Sequence, residues 1–200
     1  MSGGGHGVVE GSNKSVALLI SVLALFLAFG ETLGKSAQTS ALGDNIEASN
    51  LWAFFQAKTV RMTVVRTASE NAELQRAAGL AGTAEEPIRK QIDAWTKTGA
   101  RWDSEPETGE GRKELAARAK AAETRAATNL AKYHAFEIAS AAFQIAIVLA
   151  SAMLITGVLA LAWAAGALGV FGAALLGVGL LAPHAFHDAL HAVGGLFGIH

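Results

Sequence analysis

Three histidines near the C-terminus, His184, His187 and His191, stand three and four residues apart in "PHAFHDALHAVGGLFGIH", residues 183–200. On a helix they share one face with Asp188, and imidazoles so spaced can ligate a metal ion from one side. Phe186, Leu190, Val193 and Phe197 occupy the other face. Such a division also describes an amphipathic helix lying in a membrane surface with its polar face wet. The expectation for residues 183–200 is this interfacial tail, with metal ligation or proton sensing as the alternatives. A second group is Glu31, Glu137 and Gln144, which border or interrupt long apolar runs. An ionisable group at membrane depth is a functional hypothesis by default. Against it, Glu137 can be hydrated at the interface or paired with Lys132 or Lys35. Gln144 can bond a neighbouring helix, which contributes about 0.6–2 kcal/mol. No nucleophile motif, glycine-rich phosphate loop or H-E-x-x-H pattern accompanies them, so neither an enzyme nor an organic cofactor is expected.

The elements that must position these residues follow from the distribution of charge. The chain is 52% apolar and 16% charged, and residues 35–134 hold 15 of the 16 Lys and Arg. Residues 135–182 hold one charge, Glu137. A bilayer demands such segregation, because a charge at its centre costs roughly 2.5–3.5 kcal/mol on insertion scales. Cysteine is absent, which removes disulfides, thiolate metal sites and cysteine nucleophiles together. A net charge of −1 with no basic, aromatic-laced patch argues against nucleic acid.

After a glycine-rich start at residues 1–14, expected to be flexible, the run "SVALLISVLALFLAFG" (15–30) opens a first span over 15–34. With its flanks it meets the about 17–20 residues a crossing helix needs. It reads as an uncleaved span rather than a signal peptide, since only Lys14 is basic ahead of it and no small-x-small site follows. The second apolar run, Ala135–Ala182, suits two spans broken at Thr156-Gly157, giving 135–155 and 158–182 with Pro183 closing the last. Lys35, Lys58, Arg61, Arg125 and Lys132 flank the segment between spans one and two. The positive-inside rule therefore puts residues 35–134 and the C-terminus in the cytoplasm and the N-terminus outside.

The insert 35–134 reads as helices without strands. Ile46 to about Ala78 contains neither Pro nor Gly. Trp52, Phe55, Met62 and Val65 fall near one face of it. "GLAGTAEEP" (79–87) is a loop, and Pro87 suits the first turn of a second helix carrying Ile88, Ile92, Trp95 and Trp102. "DSEPETGEG" (103–111) is an acidic turn. A third helix starts at Arg112 with an apolar stripe of Leu115, Ala119, Ala122, Ala126, Leu130 and Tyr133. Its small residues let a partner helix approach closely. In span three Ala165, Gly169, Ala173 and Gly177 repeat every four residues, the small-xxx-small packing pattern.

"NIEASNLWAFFQAKTVR" (45–61), "SEPETGEGRKELAARAKAAE" (104–123) and "FQIAIVLAS" (143–151) occur in that order. Together they resemble a bacterial family catalogued as domain of unknown function 4337, over about Lys14 to Ala182. The resemblance implies small inner-membrane proteins with three spans and an insert between the first two, and no established activity. It also implies an acidic residue at Glu137, a glutamine at Gln144 and the turn at Thr156-Gly157. The tail histidines lie outside the pattern.

The expected protein is an all-α, multi-pass inner-membrane protein with a helical cytoplasmic insert. Its expected role is non-enzymatic and homo-oligomeric, structural or partner-binding, with Trp52, Phe54 and Phe55 as partner contacts. An oligomeric channel or transporter, or a metal-binding or sensing membrane protein, is the alternative.

Overall fold

The computed structural model describes residues 6–80 and 82–182, with side chains from Lys14 onward. The tail histidines His184, His187 and His191 lie outside the described residues. Every described element is helical: α1 (His6–Ala77), α2 (Glu85–Asp103), α3 (Arg112–Thr156) and α4 (Leu159–Leu181), with a single 3-10 turn at Gly82–Ala84. The all-α expectation holds, and α1, α3 and α4 each carry a stretch long and apolar enough to cross a membrane.

Local signals mark several of the helix ends. Gly157, at φ +71°, ends α3 with its N–H donating to the Met153 carbonyl at 2.8 Å. Glycine adopts this left-handed conformation without the Cβ clash other residues meet. Gly79 (φ +68°) does the same after α1, where the Leu80 N–H donates back to the Gln75 carbonyl at 3.1 Å. Pro87 lies in the first turn of α2. α1 begins at His6 despite Gly7 and Gly11. Extending a formed helix by one residue costs far less than nucleating a new one.

The chain divides into two compact units, Met1–Leu42 with Ala126–His200, and Gly43–Arg125. In the first, parts of α1 and α3 pack with α4 around Phe136, Phe143, Leu23 and Leu176. Phe143 is fully buried and stacks on Phe26 at 5.8 Å between centroids. Glycines set this packing. A Cβ on Gly172 would lie 2.9 Å from the Phe143 ring, and one on Gly179 would lie 2.7 Å from the Phe136 ring. Phe136 and Phe143 are seven apart, as are Gly172 and Gly179, so each ring of α3 fills the space that a missing side chain leaves on α4. The small-residue stripe does less. Ala165 is buried, a Cβ on Gly169 would lie 2.7 Å from Leu23 of the same chain, Ala173 borders the core, and Gly177 faces open space. Leu130 also departs from its expected place, being 45% exposed. Ala131, Ala135 and Phe136 are buried instead, because α4 as well as α1 packs on this part of α3.

The second unit has a small apolar centre of Leu51, Leu115 and Ala119 with Trp52 and Phe55 against it. Polar contacts do more here. The buried Lys58 donates its ammonium to the Glu110 carbonyl, and Arg112 lies 5.5 Å above the Phe55 ring. Asp103 pairs with Arg112 at 3.2 Å and Lys113 at 2.9 Å.

Candidate functional site

The sequence singled out Glu31, Glu137 and Gln144, and the structure brings all three to one cleft of about 430 Å³ between α1 and α3 in the first unit. That volume falls in the roughly 300–1,000 Å³ range of small-ligand sites. Gln144 donates from Nε2 to Glu31 Oε1 at 3.3 Å. The Tyr133 hydroxyl donates to Glu137 Oε1 at 3.1 Å, and His134 Nδ1 stands 3.7 Å from the other oxygen of Glu137. Each carboxylate keeps lone pairs unused.

Further residues complete the cleft, of which the sequence reading brings only Lys35 near Glu137. Lys35 and Gln38 line it from α1, Tyr133 and Ser140 from α3. Lys35 makes no ion pair among the described residues. Ser140 is 7% exposed and its Oγ has no hydrogen-bond partner. A buried hydroxyl left in that state costs about 1–3 kcal/mol. Gly30 makes room for it, since a Cβ there would lie 2.7 Å from Ser140 Oγ. The signal was present in the spacing. Glu31, Lys35 and Gln38 stand at i, i+4 and i+7, and Tyr133, Glu137, Ser140 and Gln144 at i, i+4, i+7 and i+11. Those are single helical faces, visible only if polar rather than apolar residues are tested for helical period inside an apolar run.

The aromatic group divides. The Trp52 indole donates to Glu123 Oε1 at 2.7 Å and meets Phe55 edge-on at 5.4 Å, so both serve the α1–α3 contact of the second unit. Phe54 is 56% exposed. A second cleft of about 390 Å³, lined by Met62, Arg66, Trp95 and Arg112 among others, lies within this unit. Several of its polar groups are already partnered: Arg66 pairs with Glu70 at 2.8 Å, and the Thr59 and Thr96 hydroxyls donate to their own helices. Among the described residues no group of three His, Cys, Asp or Glu is placed to hold a metal ion, so Glu31, His134 and Glu137 do not converge as ligands.

The cleft can therefore accept hydrogen bonds through two carboxylates and donate them through an ammonium and amides at one place. No curated protein and no solved structure matches the chain. The model of one family, described as a domain of unknown function (DUF4337), matches residues 12–182, which include the cleft, the whole of the unit 43–125 and all three membrane-length stretches. The chain belongs to the DUF4337 family.

Proposed function

We propose that this is a multi-pass inner-membrane protein, homo-oligomeric and non-enzymatic, that presents the helical unit 43–125 in the cytoplasm to other chains. Within one chain only 17%, 39% and 28% of the most apolar windows of α1, α3 and α4 are buried. Lipid and neighbouring copies would cover the remainder. The flanking basic residues support the orientation.

The observation that carries the oligomer is the two-sided apolarity of α1 within the second unit. Ala48 and Leu51 are buried on one side. On the other, Ile46, Val60 and Val64 are 63%, 63% and 62% exposed, with Ala53 and Ala57 between them on the same face. A solvated helix carries polar residues there. A second copy meeting the same stripe gives a self-complementary, two-fold contact.

The chain has no cysteine, so single thiols report cleanly. Val60→Cys in native membranes should form a disulfide-linked dimer on mild oxidation, while Ala117→Cys, on an exposed position of α3, should stay monomeric. A Val60→Cys chain that remains monomeric, together with monomers by native mass spectrometry, would overturn the oligomer.

A further inference from the structure

We propose that the cleft between α1 and α3 binds a zwitterionic amine–phosphate head group, that of an ethanolamine phospholipid. The inference deepens the membrane reading and rests on it. Glu31 follows directly on the apolar run 15–30, and Glu137 lies two residues inside the run that begins at Ala135. The cleft thus stands where a span gives way to the insert, the level at which head groups lie.

Its chemistry has both signs. Glu31 and Glu137 each have a carboxylate oxygen fixed by a neighbour, Gln144 at 3.3 Å and Tyr133 at 3.1 Å, with further lone pairs open to the cleft. A primary ammonium, with three N–H donors, fits two carboxylates. The ammonium of Lys35 lacks an anion among the described residues, and a phosphodiester supplies one. Ser140 is the independent mark of a missing partner. It lines the same cleft, it is 7% exposed, and its hydroxyl has no acceptor. Phosphate oxygens are strong acceptors.

A bare divalent cation would leave Lys35 repelled and Ser140 unaided. An anionic glycerol head group would leave two carboxylates unmatched. A choline head group carries the right charges but has no N–H to donate. The cleft therefore ranks ethanolamine above choline and glycerol lipids of the same acyl chains.

The test uses the full chain in mild detergent, stripped of lipid, with binding read by native mass spectrometry. Phosphatidylethanolamine should bind about tenfold more tightly than phosphatidylcholine or phosphatidylglycerol, the scale of losing a charge-assisted hydrogen bond. Glu31→Gln with Glu137→Gln should erase the preference for ethanolamine over choline. Lys35→Gln should weaken both zwitterionic lipids. Glu70→Gln, in the second unit, should change nothing, and circular dichroism of each variant separates lost binding from lost fold. Free O-phosphoethanolamine that competes shows the head group suffices; ethanolamine lipid binding that it fails to displace shows that the acyl chains are needed too, and both support the site. Equal binding of all three lipids, or a preference that survives the double carboxylate change, overturns it. Alkaline carbonate extraction tests the membrane reading separately. A chain released to the supernatant sinks that reading, and O-phosphoethanolamine that then fails to bind the soluble chain sinks the site as well.

Discussion

The two units are built from stretches of the same helices, α1 and α3, yet they are held by different forces. In the unit that includes α4, aromatic rings fill glycine gaps, and Phe143 is fully buried. In the unit 43–125 the apolar centre is small, and a loop is pinned by charge: Ser104 donates to Glu114 at 2.7 Å, the Glu105 N–H to the same carboxylate at 3.2 Å, and Lys113 to Asp103 at 2.9 Å. Under the proposed membrane reading, the difference follows from the medium each unit would meet. Lipid gives helices no hydrophobic reason to associate, so close steric fit must do it. Water gives that reason, but it competes for every hydrogen bond, so polar contacts are useful mainly where they fix a loop.

The sharpest way to break the contrast is to spoil the fit. Phe143→Ala removes the largest fully buried side chain and leaves a cavity between α1, α3 and α4. It should cost about 3–5 kcal/mol, because the cavity term persists in lipid as in water. Gly172→Leu should be comparably severe, since even a Cβ there meets the ring at 2.9 Å and the Ala139 carbonyl at 3.2 Å. Thermal unfolding in detergent checks both. Gly177→Leu, where a Cβ would meet nothing within 4 Å, should leave the monomer fold intact. If it also spared assembly, Gly177 would contribute to contacts neither within nor between copies.

Sequence patterning shows the helices well and their partners poorly. Three prolines, a handful of glycines and the charge segregation mark nearly every helix end, because those signals are local. The packing pairs are not local. The four-residue repeat Ala165, Gly169, Ala173, Gly177 is visible, whereas the matched spacing of Gly172–Gly179 with Phe136–Phe143 becomes meaningful only once α3 and α4 are known to lie antiparallel. The cleft shows the same division. Glu31, Glu137 and Gln144 stand out as polar residues in apolar surroundings. Ser140 does not, because serine is common in helices and its missing acceptor depends on where α1 places Gly30.

A smaller effect is expected from the loop that closes the unit 43–125. Gly111 is buried at the start of α3, and any Cβ there would collide with Glu114 and with the backbone at Ser104 and Glu105. Gly111→Val should therefore displace Glu114 from both its donors and destabilise this unit by about 1–3 kcal/mol, the usual range for overpacking. Amide exchange should accelerate over residues 104–116 and stay unchanged over residues 136–150. Acceleration of both segments alike would show that the two units do not open independently.

The smallest expected effect is a dependence on pH confined to the same loop. The Lys113 hydrogen bond, reinforced by Arg112, holds the Asp103 carboxyl below its ordinary range, with burial opposing. The Ser104 hydroxyl does the same for Glu114, helped by the Glu105 N–H. Groups whose pKa is depressed on folding stabilise the folded form above the unfolded carboxylate range of about 3.9–4.3, and that contribution is lost as pH falls through the range toward the lower folded values. Tryptophans report on it, because Trp52, Trp95 and Trp102 lie in the unit 43–125 and Trp163 lies in α4. In a Trp163→Phe chain, fluorescence should be constant from pH 7 to about 5 and shift to longer wavelength below about 4, while total helix content is retained. Asp103→Asn combined with Glu114→Gln should flatten that response, since neither replacement titrates. A response of full size in the double variant would place its origin in other carboxylates and remove charge pinning as what distinguishes this unit from the glycine-packed one.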